Sequence, residues 1–306
     1  MSDLVVPAGS TPERLDVFVA RHLEGASRQR VVKLIAEGAV RLNGRRRPKG
    51  ALVQAGDVVS LTHYANDQVA LQANPELDIP VLYADDAVVV VDKPAGRPSH
   101  ALRADERETV ANFLLARFPE MRSIGKTEGE AGLVHRLDTG TSGVLLAART
   151  PGAYAELRRQ FSEAEILKEY LALVMGDIAT PGEIRTALAH DRRHHGRMRV
   201  CPDAVQAKAL RARPAVTRYR PLQRTGRLTL LAVEIPTGVM HQIRAHLASI
   251  GHPIVGDALY GGSGAPRQML HATRITFRHP GTGRCLRVDS PLPDDVELQM
   301  RASARR

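Results

Sequence analysis

One short stretch of the chain holds residues that could carry out acid–base or nucleophilic chemistry. It covers residues 132–147 and places Asp138 in a polar turn before an apolar run, two residues after Arg136. A neighbouring cation favours the charged form of a carboxyl group and opposes the effect of desolvation. We therefore expect Asp138 to be ionised at neutral pH and able to act as a nucleophile or a base. An ion-paired aspartate at a strand end, or a helix N-cap, would give the same pattern.

A second set of polar residues lies in the sequence MHQIRAH, which starts at Met240. Met240 and Ile243 have the spacing of a buried helix face, so His241 and its neighbour one turn later can reach a common point. That neighbour is Arg244, and an arginine presented in this way can form a forked pair with a carboxylate such as Asp138, or with a phosphate. The alternative is a salt bridge on the protein surface.

The composition describes a globular chain that is long enough for about two domains. Of its 306 residues, 43% are hydrophobic and 25% are charged, which is ordinary for a globular protein. Apolar runs are shorter than the ~20 residues that span a bilayer, and the N-terminus lacks a basic region followed by an apolar core. We therefore expect a cytoplasmic protein that does not contact membranes. Two cysteines, Cys201 and Cys285, are too few for a disulfide framework and lack the spacing of a structural zinc site.

The excess of basic residues indicates a polyanionic partner. Lys and Arg number 43 against 33 Asp and Glu, a net charge of +10, and cations that neutralise phosphates release counterions and so favour association. Eight basic residues and one acidic residue lie in 28–49, and nine basic residues and two acidic residues lie in 190–220. Two separate basic stretches favour nucleic acid as the partner. A solvated basic surface is the alternative.

Residues 12–62 are predicted to form a compact α/β module. Thr11 and Pro12 have the residue types of an N-cap and a first helical position. Ser27 suits the N-cap of a second helix that Gly38 would end, and short strands would follow around tight turns. The second helix and the basic turn after it would present cations that we expect to bind RNA: Arg28, Arg30, Lys33, Arg45, Arg46 and Arg47.

The rest of the chain is predicted to form a linker and one large domain. Residues 63–80 lose the periodic apolar pattern and end in a segment with two prolines, which indicates a linker. Over residues 81–300, strands and helices mix without regular βαβ spacing. We therefore expect an α+β domain with a mixed, largely antiparallel central sheet flanked by helices.

Several of these segments resemble a known family. Five blocks occur in the order found in the RluA/RluD-type family of RNA pseudouridine synthases: VVDKPAGRPSH from Val90, GLVHRLDTGTSGVLLAA from Gly132, KEYLALVMG from Lys168, HQIRAHLASIGHPIVGDALYGG from His241 and LHATRITFRHPGTG from Leu270. The segment SRQRVVKLIAEGAVRLNGRRRPKGALVQAGDVV is similar to the small RNA-binding module first seen in a small-subunit ribosomal protein. The resemblance implies a pseudouridine synthase fold behind an N-terminal RNA-binding module.

The resemblance also implies a catalytic set and a substrate-binding set. Asp138 matches the catalytic aspartate, Tyr170 the tyrosine that stacks on the base, and Arg244 the cation paired with the aspartate. The residues expected to bind the target nucleotide are Arg136, Thr141, His241 and Leu270.

Two members of the second set have a specific expected role, and one position departs from the family. Arg136 matches the arginine that helps to hold the target nucleotide out of the helix, and Leu270 matches an apolar wall of the pocket. Val239 stands where the family usually has arginine, before the sequence HQIR. One cation that would contact the RNA backbone is therefore missing at this edge.

The activity implied by the resemblance is the isomerisation of uridine to pseudouridine, with ribosomal RNA of the large subunit as the expected substrate. Transfer RNA is an alternative substrate, and a non-catalytic RNA-binding assembly factor is an alternative function. The target uridine has to leave its stack. Because the reaction includes no redox step and no group transfer from a second molecule, we expect no cofactor and no metal. The sequence carries no sign of an oligomer or of an obligate protein partner, so a monomer is the default expectation.

A metal-dependent nuclease is a less favoured interpretation. The residues that suggest it lack the spacing of a helical zinc pair, and arginines around them would repel a cation. They are His190, Asp191, His194 and His195.

Overall fold

The computed structural model describes residues 2–23, 28–61, 71–101, 105–126, 129–194 and 196–304. The chain divides into two compact units, Met1–Ala70 and Leu71–Arg306. None of the helices in these described ranges is long and apolar enough to cross a membrane.

Within its described residues, the N-terminal unit contains two helices and five short strands. Helix α1 spans Leu15–His22 and helix α2 spans Arg28–Glu37. A three-stranded antiparallel sheet has the order β1 (Ser2–Val5), β5 (Val58–Leu61), β3 (Val40–Leu42), and β2 (Glu13–Arg14) pairs with β4 (Leu52–Val53). Apolar side chains from both helices and from the sheet form the core, among them Phe18, Val31 and Val59.

The first helix begins later than predicted. Thr11 and Pro12 do not start it, because the chain that follows them forms strand β2 and pairs with β4. The helix begins instead at Leu15. The predicted end of the second helix is confirmed, since Gly38 follows α2 in the left-handed conformation with a φ of 79°. Ser27, its predicted N-cap, lies outside the described residues.

The larger unit is built on a nine-stranded sheet. The described residues of this unit form eleven strands, nine of which belong to the sheet: β6 (Val81–Ala84), β7 (Val88–Lys93), β8 (Ser142–Ala148), β9 (Leu167–Met175), β10 (Gly182–Arg185), β11 (Ala187–His190), β12 (Met198–Cys201), β13 (Val216–Thr225), β14 (Leu228–Glu234), β15 (Leu270–Arg278) and β16 (Cys285–Asp289). Strands β11 and β12 form a separate hairpin, and the others join in the order β10-β13-β14-β9-β15-β8-β7-β6, with β16 paired to β15. The pairing of β15 with β8 is parallel and the remaining pairs of this sheet are antiparallel. The predicted α+β fold with a mixed, largely antiparallel sheet is confirmed.

Helices of the larger unit flank this sheet. They are α3 (Val110–Arg117), α4 (Pro151–Ser162), α5 (Ala204–Ala209), α6 (Gln242–Ser249) and α7 (Asp294–Ala304), with short 3₁₀ helices at Pro119–Ser123 and Ala258–Tyr260. Helix α4 begins as its sequence predicts, because the Thr150 hydroxyl accepts a hydrogen bond from the Ala153 N–H at 3.1 Å and proline occupies the first turn.

The sequence pattern predicts that the larger unit starts at residue 81, but in the structure this unit starts earlier. In the described part of the expected linker, Leu71, Leu77 and Ile79 are buried in the core of this unit. The Asn112 side-chain amide also donates a hydrogen bond to the Gln72 carbonyl at 2.6 Å. Residues 71–80 therefore belong to the folded unit, because burial of these apolar side chains holds them there. Residues 63–70 lie outside the described residues.

The middle of the sheet brings three separate parts of the chain together. Strand β8 pairs in parallel with β15, with Ser142 opposite His271 and Gly143 opposite Ala272. On its other side, β15 pairs with β9, where Ala272 lies opposite Tyr170. The turn before β8, the start of β15 and the middle of β9 are therefore neighbours.

Gly143 permits the close approach of β8 and β15. Its φ is 108°, a conformation that side chains rarely adopt, and a Cβ atom at this position would lie 2.1 Å from the Ala272 carbonyl oxygen. Only glycine fits there without moving the backbone of one strand.

We predict that Gly143→Ala lowers the free energy of unfolding by about 1–3 kcal/mol, because of its φ and its overlap with the neighbouring strand. Denaturant unfolding would measure this change. Gly152→Ala is the matched control, since Gly152 lies in helix α4 and a Cβ atom added there would have no neighbouring atom within 4 Å. It should be neutral or stabilising by up to about 1 kcal/mol. Equal effects of the two substitutions would contradict the role given to Gly143.

Candidate active site

A cleft of about 1060 Å³ opens in the larger unit. It is formed by the turn before β8, by β9, by the start of β15 and by the chain that leads into α6. All the residues of the expected catalytic and substrate-binding sets line this cleft: Arg136, Asp138, Thr141, Tyr170, His241, Arg244 and Leu270.

The turn that carries Asp138 is fixed by hydrogen bonds on both sides. The Thr141 N–H donates to the Asp138 carbonyl at 3.0 Å. Before the turn, the buried Ser99 hydroxyl donates to the Leu137 carbonyl at 2.9 Å and accepts from the Leu137 N–H at 3.1 Å. The Asp138 side chain is 26% exposed. The backbone of the turn is therefore held in place while the carboxylate remains accessible from the cleft.

Arg244 connects Asp138 to a second, buried carboxylate. Its Nε and Nη2 donate to Asp257 at 2.6 and 2.8 Å, and its Nη1 donates to Asp138 Oδ2 at 2.8 Å. The Asp257 side chain is 1% exposed and the Arg244 side chain is 8% exposed. Burial alone would lower the pKa of Arg244, but the hydrogen bonds and charges of Asp257 and Asp138 outweigh burial and raise that pKa. The guanidinium is therefore a permanent cation.

The cation that contacts Asp138 is Arg244, the arginine that the sequence placed within possible reach of it. Arg136 is nearer in sequence but does not make this contact. The Arg136 side chain lines the cleft. Within the described residues it forms no ion pair with Asp138, whose cationic partner there is Arg244.

The position of a hydrogen atom on His241 follows from its neighbours. The Met198 N–H donates to the Tyr260 hydroxyl at 2.8 Å, so that hydroxyl is free to donate its own hydrogen to His241 Nδ1 at 3.2 Å. Burial lowers the pKa of His241, so the ring is neutral at pH 7 and carries its hydrogen on Nε2. This Nε2 lies 3.8 Å from Asp138 Oδ2. His241 therefore directs a hydrogen-bond donor towards the carboxylate and the cleft.

Tyr170 and Leu270 supply the aromatic and apolar surfaces of the cleft. Tyr170 lies on β9 and is 7% exposed, and Leu270 lies at the start of β15 and is 4% exposed. Burial, assisted by the charge of Asp138, raises the pKa of the Tyr170 phenol. The phenol is therefore protonated at neutral pH and can donate a hydrogen bond.

Lys93 is a buried cation beneath the Asp138 turn. Its side chain is fully buried, and its Nζ donates to the Thr139 carbonyl at 3.1 Å and to the Pro94 carbonyl at 3.0 Å. Burial lowers the pKa of Lys93 to about 7, although the negative charge of Asp138 acts in the opposite direction. Lys93 therefore joins the end of β7 to the turn that carries Asp138.

Three residues of the site were not predicted from the sequence. Asp257, Tyr260 and Lys93 lie inside the blocks that carried the family resemblance, but their side-chain partners are distant in sequence. A charged residue within an apolar segment is the one local sign that could have identified Asp257 or Lys93, because such groups are rarely buried without a partner.

Val239, at the position that departs from the family pattern, packs in a small apolar cluster. It is 8% exposed and lies with Leu188, Met198, Ala245 and Tyr260. The side chain closes one edge of the cleft with hydrocarbon rather than with a charge.

The residues expected to bind RNA lie on α2 and on the turn after β3. Lys33 Nζ lies 3.7 Å from Glu37 across one helical turn. Arg45 and Arg47 are exposed, and the Arg46 guanidinium lies against Gly38. The side chain of Arg28 lies outside the described residues, and Arg30 is partly buried.

The residues that suggested a metal-dependent nuclease do not form a cation site among the described residues. There, no group of three or more His, Cys, Asp or Glu side chains could hold a metal ion. Asp191 lies 3.3 Å from His194, and His195 lies outside the described part of the chain.

Two family models match parts of this chain. Residues 87–249 match the family model of the RNA pseudouridylate synthases, and residues 13–59 match that of the S4 domain. The chain is 36% identical to a ribosomal large subunit pseudouridine synthase D of Xanthomonas campestris, over 97% of this chain and 91% of that protein. It is 38% identical to a protein of Chloroflexus aurantiacus named as an uncharacterized RNA pseudouridine synthase, over 97% of this chain and 92% of that protein.

A solved structure with a similar fold is the human RNA pseudouridylate synthase domain containing 1. The TM-score is 0.54 at 27% identity, over 70% of this chain and 83% of that one.

We predict that the two carboxylates bound to Arg244 differ in their contribution to stability. Asp257→Asn should lower the free energy of unfolding by about 3 kcal/mol, because it turns an amide N–H₂ towards buried guanidinium donors. Asp138→Asn, the matched substitution at the partly exposed site, should change it by less than about 1 kcal/mol. Denaturant unfolding of both variants would measure the difference. Similar values for the two would contradict the arrangement.

A second prediction concerns the pH dependence of stability. The folded-state pKa of Lys93, about 7, lies below the unfolded value of about 10.4. The penalty for the buried charge is therefore present in full below pH ~7 and is relieved as the pH rises towards the unfolded pKa. Relative to Lys93→Met, the wild-type protein should gain about 2 kcal/mol of stability between about pH 7 and pH 9. Parallel stability curves for the two proteins would show that Lys93 stays charged when folded.

Proposed function

Because the chain belongs to the RNA pseudouridylate synthase family, we propose that Asp138 is its catalytic carboxylate and that large-subunit ribosomal RNA is its substrate. The observation that supports this most strongly is the ion pair between Asp138 and Arg244, which is anchored by Asp257 and opens on a cleft bounded by Tyr170. An ionised carboxylate that faces a cleft large enough for a nucleotide is what the chemistry requires.

The reaction breaks one bond and forms another within a single nucleotide. The target uridine leaves its stack, which costs a few kcal/mol. The bond from N1 of uracil to C1′ of the ribose breaks, the base turns, and C5 bonds to C1′ while C5 loses a proton and N1 gains one. Asp138 acts as a nucleophile at C1′ or as a base towards the 2′ hydrogen, and both routes need the ionised carboxylate that Arg244 stabilises. The atoms balance without an added reactant.

The other residues of the cleft hold the base and the sugar. Tyr170 stacks on the everted uracil, and its protonated phenol donates a hydrogen bond or passes a proton. Leu270 forms the apolar wall, and Arg136 keeps the nucleotide out of the RNA helix. His241 and Thr141 contact the nucleotide beside Asp138.

The choice of ribosomal RNA rests on the relatives and on the N-terminal unit. A relative that is 36% identical over 97% of this chain is named as a synthase of the ribosomal large subunit. The exposed cations of the N-terminal unit, such as Arg45 and Arg47, would contact phosphates and position the RNA without reading its sequence.

We predict that Asp138→Asn folds normally but forms no pseudouridine, a loss of about 10³-fold or more. Purified protein would be incubated with unmodified large-subunit ribosomal RNA and the pseudouridines mapped. Asp86→Asn is the matched control, because Asp86 is exposed in the turn between β6 and β7 and does not line the cleft. Turnover by Asp138→Asn at the wild-type rate would refute the assignment.

A further inference from the structure

Lys168 is a buried lysine in the cleft without an anionic partner among the described residues. It lies two residues before Tyr170 on β9, so both side chains are on the same face of the strand. The lysine is 8% exposed, and its Nζ donates to the Thr237 carbonyl at 3.3 Å. Burial lowers the pKa of Lys168 to about 8, so at neutral pH it is an uncompensated cation beside the proposed base-stacking tyrosine.

Arg158 supplies a second cation at this end of the cleft. It lies on α4, where its Nη1 donates to the Val134 carbonyl at 2.7 Å. The aromatic ring of Phe161, one turn later on the same helix, lies 5.7 Å from Lys168 Nζ. The nearby acid, Glu130, accepts a hydrogen bond from the Tyr154 hydroxyl at 2.9 Å and forms no ion pair with Arg158 in the described part of the chain.

His135 adds a neutral donor at the same place. Its ring lies 5.0 Å from that of Phe161, and its Nε2 accepts a hydrogen bond from the Leu146 N–H at 3.0 Å. Burial, together with the charges of Lys168 and Arg158, lowers the pKa of His135 to about 3. The ring is therefore neutral and carries its hydrogen on Nδ1, which has no protein acceptor among the described residues.

The three side chains share one chemical property. His135, Arg158 and Lys168 all line the cleft, all are hydrogen-bond donors, and two of them are positively charged. Neither cation forms an ion pair with a carboxylate of the described residues. Donors arranged in this way are suited to an anion with several acceptor oxygens, because such a ligand offsets the free-energy cost of the buried Lys168 cation. A phosphodiester group has this chemistry.

We propose that His135, Arg158 and Lys168 bind a backbone phosphate of the RNA next to the everted uridine. The proposal rests on the proposed function, because it takes the RNA strand to enter this cleft. The phosphate would lie next to Lys168, which precedes Tyr170 by two residues on β9. The site would thereby fix the position of the sugar–phosphate chain while the base stacks on the tyrosine.

The test compares Lys168→Met and Arg158→Met with wild type in pseudouridine formation on large-subunit ribosomal RNA. Each variant should raise KM by about tenfold, as expected for the loss of one charged hydrogen bond, with a smaller change in kcat. The slope of log Kd for RNA against log salt concentration should fall by about 0.7–0.9 per variant. Lys168→Arg, which keeps the charge, should recover most of the loss.

Two controls separate binding from a structural role. Arg284→Met removes an exposed cation that does not line the cleft, and its KM should stay near the wild-type value. Lys168→Met should unfold at an equal or higher denaturant concentration than wild type at pH 7, because it removes an uncompensated buried charge. If Lys168 had a purely structural role, Lys168→Met would instead be less stable than wild type and would keep the wild-type KM.

The results distinguish a failure of the phosphate site from a failure of the proposed function. The phosphate site is refuted if Lys168→Met and Arg158→Met match Arg284→Met in KM and salt slope while wild type forms pseudouridine. It is also refuted if inorganic phosphate, at constant ionic strength, raises the Tm of wild type but not that of Lys168→Met, while Lys168→Met has the same KM for RNA as wild type. In that case the site would bind an anion but not the RNA substrate. If wild type forms no pseudouridine but RNA binding weakens in the predicted variants, the proposed function fails and the phosphate site stands.

Discussion

The site depends on how one buried guanidinium is shared between two carboxylates. Asp257 takes two N–H groups of Arg244 in a fork, which fixes the plane of the guanidinium. A further N–H of the same group points to Asp138 Oδ2. The Asp257 side chain is buried, whereas the Asp138 side chain is 26% exposed and faces the cleft. The shared guanidinium therefore holds the Asp138 carboxylate in a fixed orientation at the cleft.

The fold supplies the rigidity that this arrangement requires. Helix α6 carries Arg244, while the chain that follows it returns to place Asp257 beside the same guanidinium. The turn with Asp138 is held by Ser99 and by the buried Lys93, and it leads into a parallel pairing of β8 with β15. Strand β9, on the other side of β15, adds Tyr170. Elements distant in sequence thus converge on one carboxylate, so the geometry depends on the packing of the whole sheet.

Local patterns in the sequence predict those parts of the molecule that depend on periodicity. The helix of Arg244 and the turn of Asp138 follow from apolar spacing, and the mixed character of the sheet follows from the irregular order of the elements. Long-range contacts are not visible in such patterns. Asp257 is therefore missed as a partner. Arg136 is the cation nearest to Asp138 in sequence but does not contact it, since a two-residue spacing in an irregular turn does not fix a contact. In the same way, pairing of β2 with β4 overrides the helix start that Thr11 indicates.

The most direct test of the role of Asp138 is a crystal structure of Asp138→Asn bound to its RNA substrate. We expect one uridine turned out of its stack, with its base against Tyr170 and its C1′ about 3–3.5 Å from the side chain at position 138. In that complex, Arg244 should still bind Asp257 through both of its forked N–H groups. A uridine that remains stacked in the RNA, or that lies in a different part of the protein with residue 138 free of the sugar, would contradict a catalytic role for this carboxylate.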